Sequence, residues 1–213
     1  MKTTSDLDQL LGEIRACRAC APYLPHTPRP VIWVFPETKL LICGQAPGRR
    51  VHESGRPFTD PSGDRLRQWM GVDYDTFYAD HRIGVAAQAF CFPGTNPKGG
   101  DYPPPPRCAA LWRERLFETL PQMDLILLVG SYSIDWFLGD RAKSNMTETV
   151  RAWREYGPQL LPLPHPSWRN TAWLKRNAWF EEDVVPHLRQ RVSDILSPPL
   201  SVRSDLPQGT MTL

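Results

Sequence analysis

The stretch Leu40-Leu41-Ile42-Cys43-Gly44-Gln45-Ala46-Pro47-Gly48 decides the fold, because an apolar run ends there in a turn rich in glycine and proline. The apolar part predicts a short buried β-strand, and the turn predicts a loop at the strand's carboxyl end. In open α/β sheets, ligands bind at this edge of the sheet. The candidate binding residues of this glycine loop are Gly44, Gln45, Ala46, Pro47 and Gly48.

A second apolar run ends in a polar turn much later in the chain, where Gln159–Leu163 leads to His165-Pro166-Ser167. Its place after a predicted strand puts this turn at the same edge of the sheet. Each motif alone is a weak signal, because strand–glycine turns are common and most single histidines are structural. Together they predict one site in which the side chain of His165 lies near the glycine loop.

Strands and helices alternate along the chain, which predicts one α/β domain over residues 1–195 with a largely parallel sheet. The β-rich runs are Val31–Phe35, Lys39–Cys43, Ile83–Phe90, Asp124–Gly130 and Gln159–Leu163. The helical patterns are Ser5–Cys20, Pro61–Met70, Pro106–Leu120, Ser131–Leu138, Thr147–Tyr156, Arg169–Asn177 and Phe180–Val192. Residues 196–213 are rich in proline and serine and lack periodicity, so we expect a disordered tail.

The composition suits one large soluble domain, since the chain has 213 residues of which 41% are hydrophobic. No apolar run reaches the roughly 18 residues that a membrane span needs. Residues 1–8 are polar and lack the apolar core of a secretory signal. We therefore expect a cytoplasmic protein with no membrane partner, and we expect a monomer.

The formal net charge is only +2, so a nucleic-acid partner would require a local basic patch. Arginine greatly outnumbers lysine, which either supports phosphate binding or reflects a GC-rich genome. The positions of the basic residues are more informative than their number. Arg49, Arg50 and His52 follow the glycine loop, and Arg169 follows the His165 turn.

Four of the five cysteines have the spacing of metal ligands. Cys17 and Cys20 form a C-x2-C pair, and Cys91 and Cys108 follow later in the chain. Cys43 is different, because it lies inside an apolar strand and suits the core. Disulfides are disfavoured by the odd cysteine count and the missing secretory signal. The spacing alone leaves zinc and a 4Fe-4S cluster as alternatives.

The glycine loop and the His165 turn, taken together in this order, resemble the uracil-DNA glycosylase superfamily. The cysteine spacing resembles that of glycosylase families 4 and 5, which favours the 4Fe-4S cluster over zinc. The resemblance covers residues 10–192 and implies a three-layer α/β/α sandwich around a four-stranded, mostly parallel sheet. It also implies a DNA partner, with hydrolysis of the N-glycosidic bond of uracil or another deaminated base that is flipped out of the DNA.

The resemblance gives several residues a role in this reaction. Phe58 lies in Ser54–Asp60, which resembles the segment that stacks on the base in families 4 and 5. His165 would donate a hydrogen bond to the base as negative charge develops on it. Pro166 and Ser167 would shape the loop that contacts the DNA backbone. The predicted DNA contacts are Arg49, His52, Pro166 and Arg169.

The chain departs from the family pattern at the water-activating position. Family 4 has a glutamate where this chain has Gln45, and family 1 has an aspartate where it has Ala46. In family 5 an aspartate shortly after the Phe-Thr pair takes this role, and Asp60 lies in the analogous stretch. Glu53 and Asp64 are weaker candidates. Alternatively, Gln45 positions the water without deprotonating it.

A second departure concerns the choice of base. Families 4 and 5 carry an asparagine at the position of Ala87, and the next residue here is Gln88. Gln88 is therefore the candidate amide for contact with the base, although a shift of one residue reverses the facing of a side chain in a strand.

Two readings from other classes of function stay open. The first is a nucleic-acid-binding module that has kept the pocket and lost the chemistry, as the missing loop carboxylate suggests. The second is a scaffold protein stabilised by zinc, in which the cysteines are structural. Iron content separates the scaffold from the others, and base release from a uracil-containing strand separates the enzyme from the binding module.

Overall fold

Four parallel strands form the centre of the protein in the computed structural model, which describes residues 4–197. The strands are β1 (Leu40–Cys43), β2 (Ile83–Val85), β3 (Leu125–Val129) and β4 (Leu160–Leu163). Their order in the sheet is β2-β1-β3-β4, and every neighbouring pair is parallel. The predicted α/β class and the four-stranded sheet are therefore confirmed.

The two central strands are buried along their whole length. In the register, Leu40 of β1 pairs with Ile83 on one side and with Leu125 on the other. Helices cover both faces of the sheet, so the residues of these strands are almost completely shielded from water. This explains why β1 and β3 read as continuous apolar runs instead of alternating patterns.

Nine helices surround the sheet within residues 4–197 and complete the predicted three-layer sandwich. They are α1 (Thr4–Ala16), α2 (Arg49–Ser54), α3 (Pro61–Met70), α4 (Tyr74–Ala79), α5 (Pro106–Thr119), α6 (Ser131–Leu138), α7 (Met146–Arg151), α8 (Thr171–Arg176) and α9 (Val185–Leu196). Helix α1 packs against α5, and α3 packs against α9. In this part of the chain, none of the helices has the length and apolar character of a membrane span.

Helix α3 shows how local sequence sets both ends of an element. The side chain of Asp60 accepts a hydrogen bond from the Gly63 amide and caps the first turn, while Pro61 takes the first helical position. Gly71 ends the helix with a left-handed backbone at φ 71°. The predicted bounds of this helix are confirmed.

Two predicted strands differ from the structure. Val31–Phe35 joins the sheet only through an isolated antiparallel bridge between Trp33 and Val85, since Pro30 and Pro36 restrict pairing on both sides. The run predicted over Ile83–Phe90 stops as a strand at Val85. Beyond that point, the chain bonds instead to carbonyl groups of the glycine loop.

Several helix boundaries also differ. Helix α1 ends at Ala16, so Cys17 and Cys20 lie in the loop that follows. The short helices α2 and α4, of six residues each, were not predicted. The predicted helices over residues 147–156, 169–177 and 180–192 include 3₁₀ or π turns. Helix α9 continues to Leu196, and residues 198–213 of the predicted tail lie outside the described residues.

Candidate active site

Two connected cavities lie at the carboxyl edge of the sheet, where the glycine loop and the His165 turn meet. The deep cavity has a volume of about 120 Å³ and the open groove beside it about 620 Å³. Both are lined by Gln45, Ala46, Gly48, Val51, Asp60, Ser62, Asp101 and His165. Gly44, Pro47 and Phe58 line only the deep cavity, whereas Arg49, Ser167 and Arg169 line only the groove.

The glycine loop is held by hydrogen bonds to its backbone. The carbonyl of Gly44 accepts from Ser133 Oγ at 3.1 Å and from the Gln88 amide at 2.9 Å. The carbonyl of Gln45 accepts from the Ala89 amide at 3.1 Å. The Gln45 side chain donates from Nε2 to the carbonyl of Tyr102 at 3.1 Å. The loop is therefore fixed to three separate segments of the chain.

His165 has a defined tautomer. The Ser167 amide donates to His165 Nδ1 at 3.2 Å, so Nδ1 is the acceptor and Nε2 carries the proton. Burial lowers the pKa of His165, and the nearby Asp60 carboxylate opposes part of that change. The imidazole is therefore neutral near pH 7 and offers Nε2–H as a donor.

Two further contacts hold the His165 turn, and sequence reasoning missed both. Arg65 of α3 donates from Nη1 to the Ser167 carbonyl at 2.9 Å and from Nη2 to Thr171 Oγ1 at 3.2 Å. The Asn170 side chain donates to the His165 carbonyl at 2.7 Å and makes no cap bond to α8. The turn is thereby anchored to α3.

Phe58 forms a wall of the deep cavity and has a left-handed backbone, with φ at 56°. This conformation costs a residue with a side chain of order 1–3 kcal/mol. Arg67 Nη1 donates to the Phe58 carbonyl at 3.1 Å, and the ring packs edge-on against Phe77 with centroids 6.2 Å apart. A methyl group at Gly63 would overlap the Phe58 carbonyl oxygen, so only glycine fits there.

Asp60 lines both cavities and also caps α3. Its Oδ1 accepts from Ser62 Oγ at 2.6 Å and from the Gly63 amide at 3.3 Å. The weaker candidates lie elsewhere: Glu53 is exposed outside the cavities, and Asp64 pairs with Arg67 at 2.6 Å. Among the predicted acids, Asp60 is thus the one that reaches the site.

Asp101 is a second carboxylate of the site that sequence reasoning missed. It lies at the end of a hairpin over residues 94–102, where Thr95 and Asp101 form an antiparallel bridge. The residue is exposed, yet the surrounding protein desolvates the carboxylate and raises its pKa, while Arg169 and Arg49 act in the opposite direction. The pair Gly99-Gly100 before Asp101 is the feature of the local sequence that indicates a turn here, and both glycines have positive φ in the structure.

Three predicted contact residues, Gln88, His52 and Pro166, are not among the residues that line these two cavities. Gln88 is buried, and Ala87 lines the deep cavity instead, because the residue after the strand faces the opposite way. His52 packs against the His26 ring with centroids 4.2 Å apart, since α2 turns it away from the groove. Pro166 is buried.

The wall of the groove is basic and aromatic. Arg49, Arg50 and Arg169 line it together with Trp168, whose exposed fraction is 73%. The Arg169 guanidinium lies 5.7 Å from the centroid of the Trp168 ring. This local patch gives a phosphate backbone suitable partners despite the low net charge.

The four predicted ligand cysteines line one separate cavity; they are Cys17, Cys20, Cys91 and Cys108. Burial raises the pKa of Cys91 to about 12, and the neighbouring Cys108, Cys20 and Cys17 thiols add to that rise. Cys43 lies apart from them, fully buried in β1, as predicted. Within residues 4–197, no three His, Cys, Asp or Glu side chains are arranged to hold a metal ion.

Comparison with known proteins identifies the family. Residues 33–189 match the family model of the Uracil DNA glycosylase superfamily. The chain is also similar to the solution NMR structure of a Methanosarcina acetivorans protein that is provisionally described as a uracil DNA glycosylase. That similarity has 19% identity and a TM-score of 0.44, and it covers 74% of this chain and 97% of the other. Because the family match spans most of the chain, including the glycine loop and the His165 turn, the protein belongs to the uracil-DNA glycosylase superfamily.

Proposed function

We propose that this protein is a DNA glycosylase that hydrolyses the N-glycosidic bond of uracil or another deaminated base, in base excision repair. One observation carries the proposal: a neutral His165, with its proton on Nε2, lines the same deep cavity as Phe58 and the glycine loop. A flipped base needs a stacking surface and a donor for its developing charge. This cavity offers both.

In the proposed reaction, the base stacks on Phe58 and its carbonyl oxygen accepts a hydrogen bond from His165 Nε2. As the glycosidic bond lengthens, negative charge moves onto the base, and the hydrogen bond strengthens. A donor that is already oriented by Ser167 needs no rearrangement at that moment. Loss of one such donor typically costs about 10²–10³ in rate.

Positioning of the attacking water is proposed for Asp60, which lines both cavities beside His165. Gln45 is less suited to this role, because its amide nitrogen is engaged with the Tyr102 carbonyl. Ala46 has no polar side chain. The carboxylate that other families place in the glycine loop would thus come from the start of α3.

Selection of the base would fall to the glycine-loop backbone and His165. Ala87, at the position where related families carry an asparagine, has no hydrogen-bonding side chain. A cavity without that amide loses one means of separating uracil from other deaminated bases. We therefore propose deaminated bases as the substrate class.

The proposed partner is DNA, bound by the groove of Arg49, Arg169 and Trp168. The guanidinium groups would contact phosphates, and the exposed indole gives a base a surface for stacking. The proposed DNA substrate is either a single strand or a duplex with one flipped base. The expected monomer stays a prediction.

A 4Fe-4S cluster is proposed for the four-cysteine cavity. Four thiolates are the usual ligand set of such a cluster, and all four line one cavity. When bound, the cluster would act as a structural cross-link between the end of α1, the chain after β2 and the start of α5. Hydrolysis needs no electron transfer. Zinc remains the alternative, and iron analysis of the purified protein separates the two.

The test of the proposed function is release of free base from a single strand that contains one uracil, hypoxanthine or xanthine. Base release that is lost in His165→Ala supports the glycosylase. Strand binding without release of any base would support the second candidate, a DNA-binding module, which the absence of a carboxylate at Gln45 and Ala46 favours.

A further inference from the structure

The hairpin over residues 94–102 carries a carboxylate that neither the family match nor the proposed roles use. Asp101 lines both the deep cavity and the groove, as do His165 and Asp60. A methyl group built on Gly48 would lie 3.6 Å from Asp101 Oδ2, so the carboxylate lies directly against the glycine loop. It is therefore part of the cavity wall.

The hairpin holds this carboxylate in place. The Asn96 amide donates to the Gly100 carbonyl at 2.8 Å, and the Tyr102 amide donates to the Gly94 carbonyl at 2.9 Å. The Gln45 side chain fastens the hairpin to the glycine loop through the Tyr102 carbonyl. Asp101 thus has a fixed position relative to the loop, although its residue is exposed.

The two carboxylates of the site, Asp60 and Asp101, differ in the hydrogen bonds that they already accept from the protein. Asp60 Oδ1 accepts two hydrogen bonds that belong to the cap of α3. The Asp101 carboxylate has no hydrogen bond or ion pair to any residue between 4 and 197. Its oxygens are free to accept from a water molecule in the cavity.

We propose that Asp101 is the general base of the reaction and that Asp60 orients the same water, an assignment that rests on the proposed function. The glycosidic C1′–N bond breaks, and its electron pair goes to the base, where His165 stabilises the charge. The water oxygen bonds to C1′, and one water proton moves to the Asp101 carboxylate. The products are an abasic sugar and the base anion, which takes up a proton from solvent to give the free base, while Asp101 returns its proton to solvent.

The charged groups around Asp101 suit this role. Partial desolvation by the surrounding protein raises the pKa of its carboxyl, Arg169 and Arg49 act against that rise, and Asp60 adds to it. A carboxylate with a raised pKa accepts a proton more readily than an ordinary one. Two carboxylates in different surroundings can thus divide the work of one site.

The experiment compares Asp101→Asn with Asp60→Asn and with wild type, in single-turnover base release from a uracil-containing strand. We expect Asp101→Asn to lower the rate at saturating protein by about 10²-fold or more, within the usual range for a general base. Its affinity for a strand without uracil should stay the same or rise, because a negative charge leaves the groove. Asp140→Asn, at an exposed position outside both cavities, is the matched control.

The pH profile separates the two carboxylates. The wild-type rate should fall as the pH drops through the raised pKa of Asp101, and this acid limb should be absent in Asp101→Asn. If the limb persists in Asp101→Asn and disappears in Asp60→Asn, Asp60 is the base and the proposal is wrong. An Asp101→Asn variant that retains full rate would overturn it equally, while the glycosylase function would stand. A wild type that releases no base would overturn both.

Discussion

The glycine loop and the hairpin of residues 94–102 face the same cavities, yet local sequence dictates only the first. The loop follows directly from β1, so a buried strand delivers it to the edge of the sheet. The hairpin belongs to a long segment between β2 and α5 and reaches the site through contacts with distant residues. One wall of the site, the glycine loop, can therefore be predicted from local sequence. The position of the other wall, the hairpin, depends on tertiary contacts.

The proposed cluster would add a further constraint on the hairpin, because Cys91 and Cys108 flank the hairpin segment on its two sides. Cys17 and Cys20 meet them from the end of α1. A cluster bound by all four would fix both ends of this segment, whereas the glycine loop is fixed by β1. The two walls should therefore respond differently to loss of a cysteine.

The largest effect is expected for Cys108→Ala. The variant should lose its iron and much of its solubility, and amide hydrogen exchange in the soluble fraction should rise over residues 94–102 more than over the glycine loop. The measurements are iron content, absorption near 400 nm and hydrogen exchange by mass spectrometry. The wild-type protein should contain about four irons per chain and absorb near 400 nm. Cys43→Ala is the matched control and should keep its iron. Colourless wild-type protein with one zinc would contradict the cluster.

The second prediction concerns His165, which belongs to the wall set by the strands. His165→Ala should lower single-turnover base release by about 10²–10³-fold, the usual loss for one transition-state donor. His81→Ala changes an exposed histidine outside the cavities and should keep the wild-type rate. An equal loss in both variants would show that the effect is one of folding.

The third prediction tests the groove that connects the two walls. Arg169 packs against the hairpin, since a methyl group on Gly99 would lie 3.9 Å from its Nη2. Arg169→Ala should weaken binding to single strands of any sequence and reduce the slope of log K against log salt by about one. Fluorescence anisotropy between 50 and 200 mM salt, a range over which phosphate contacts weaken strongly, measures both quantities. Binding that does not depend on salt would argue against DNA as the partner.

The smallest effect on rate is expected for a change at the contact between the glycine loop and the hairpin. Gln45→Ala removes the hydrogen bond from the glycine loop to the Tyr102 carbonyl. We expect a loss of about 1 kcal/mol in the free energy of unfolding, and a smaller fall in rate than for His165→Ala or Asp60→Asn. Urea unfolding and base release measure the two effects. If Gln45→Ala proves more damaging to the rate than Asp60→Asn, water positioning belongs to the glycine loop.

The same contrast explains what could be predicted from the sequence. Strands β1 and β3 and helix α3 were predictable because burial pattern and capping residues act locally. Gln88 and His52 were misplaced because the facing of a side chain after a strand or in a short helix depends on the packing of its neighbours. Asp101 was missed for the same reason: nothing within the hairpin sequence shows which surface it will meet.

The backbone conformation of Phe58 means that one wall of the deep cavity is formed before any base binds. A binding surface that had to become ordered each time a base enters would add an ordering cost to every binding event. The left-handed backbone of Phe58, which Arg67 and the bare Gly63 hold in place, is fixed when the chain folds. In the proposed reaction, every flipped base would therefore meet the same preformed stacking surface, with no cost of ordering Phe58 at each encounter.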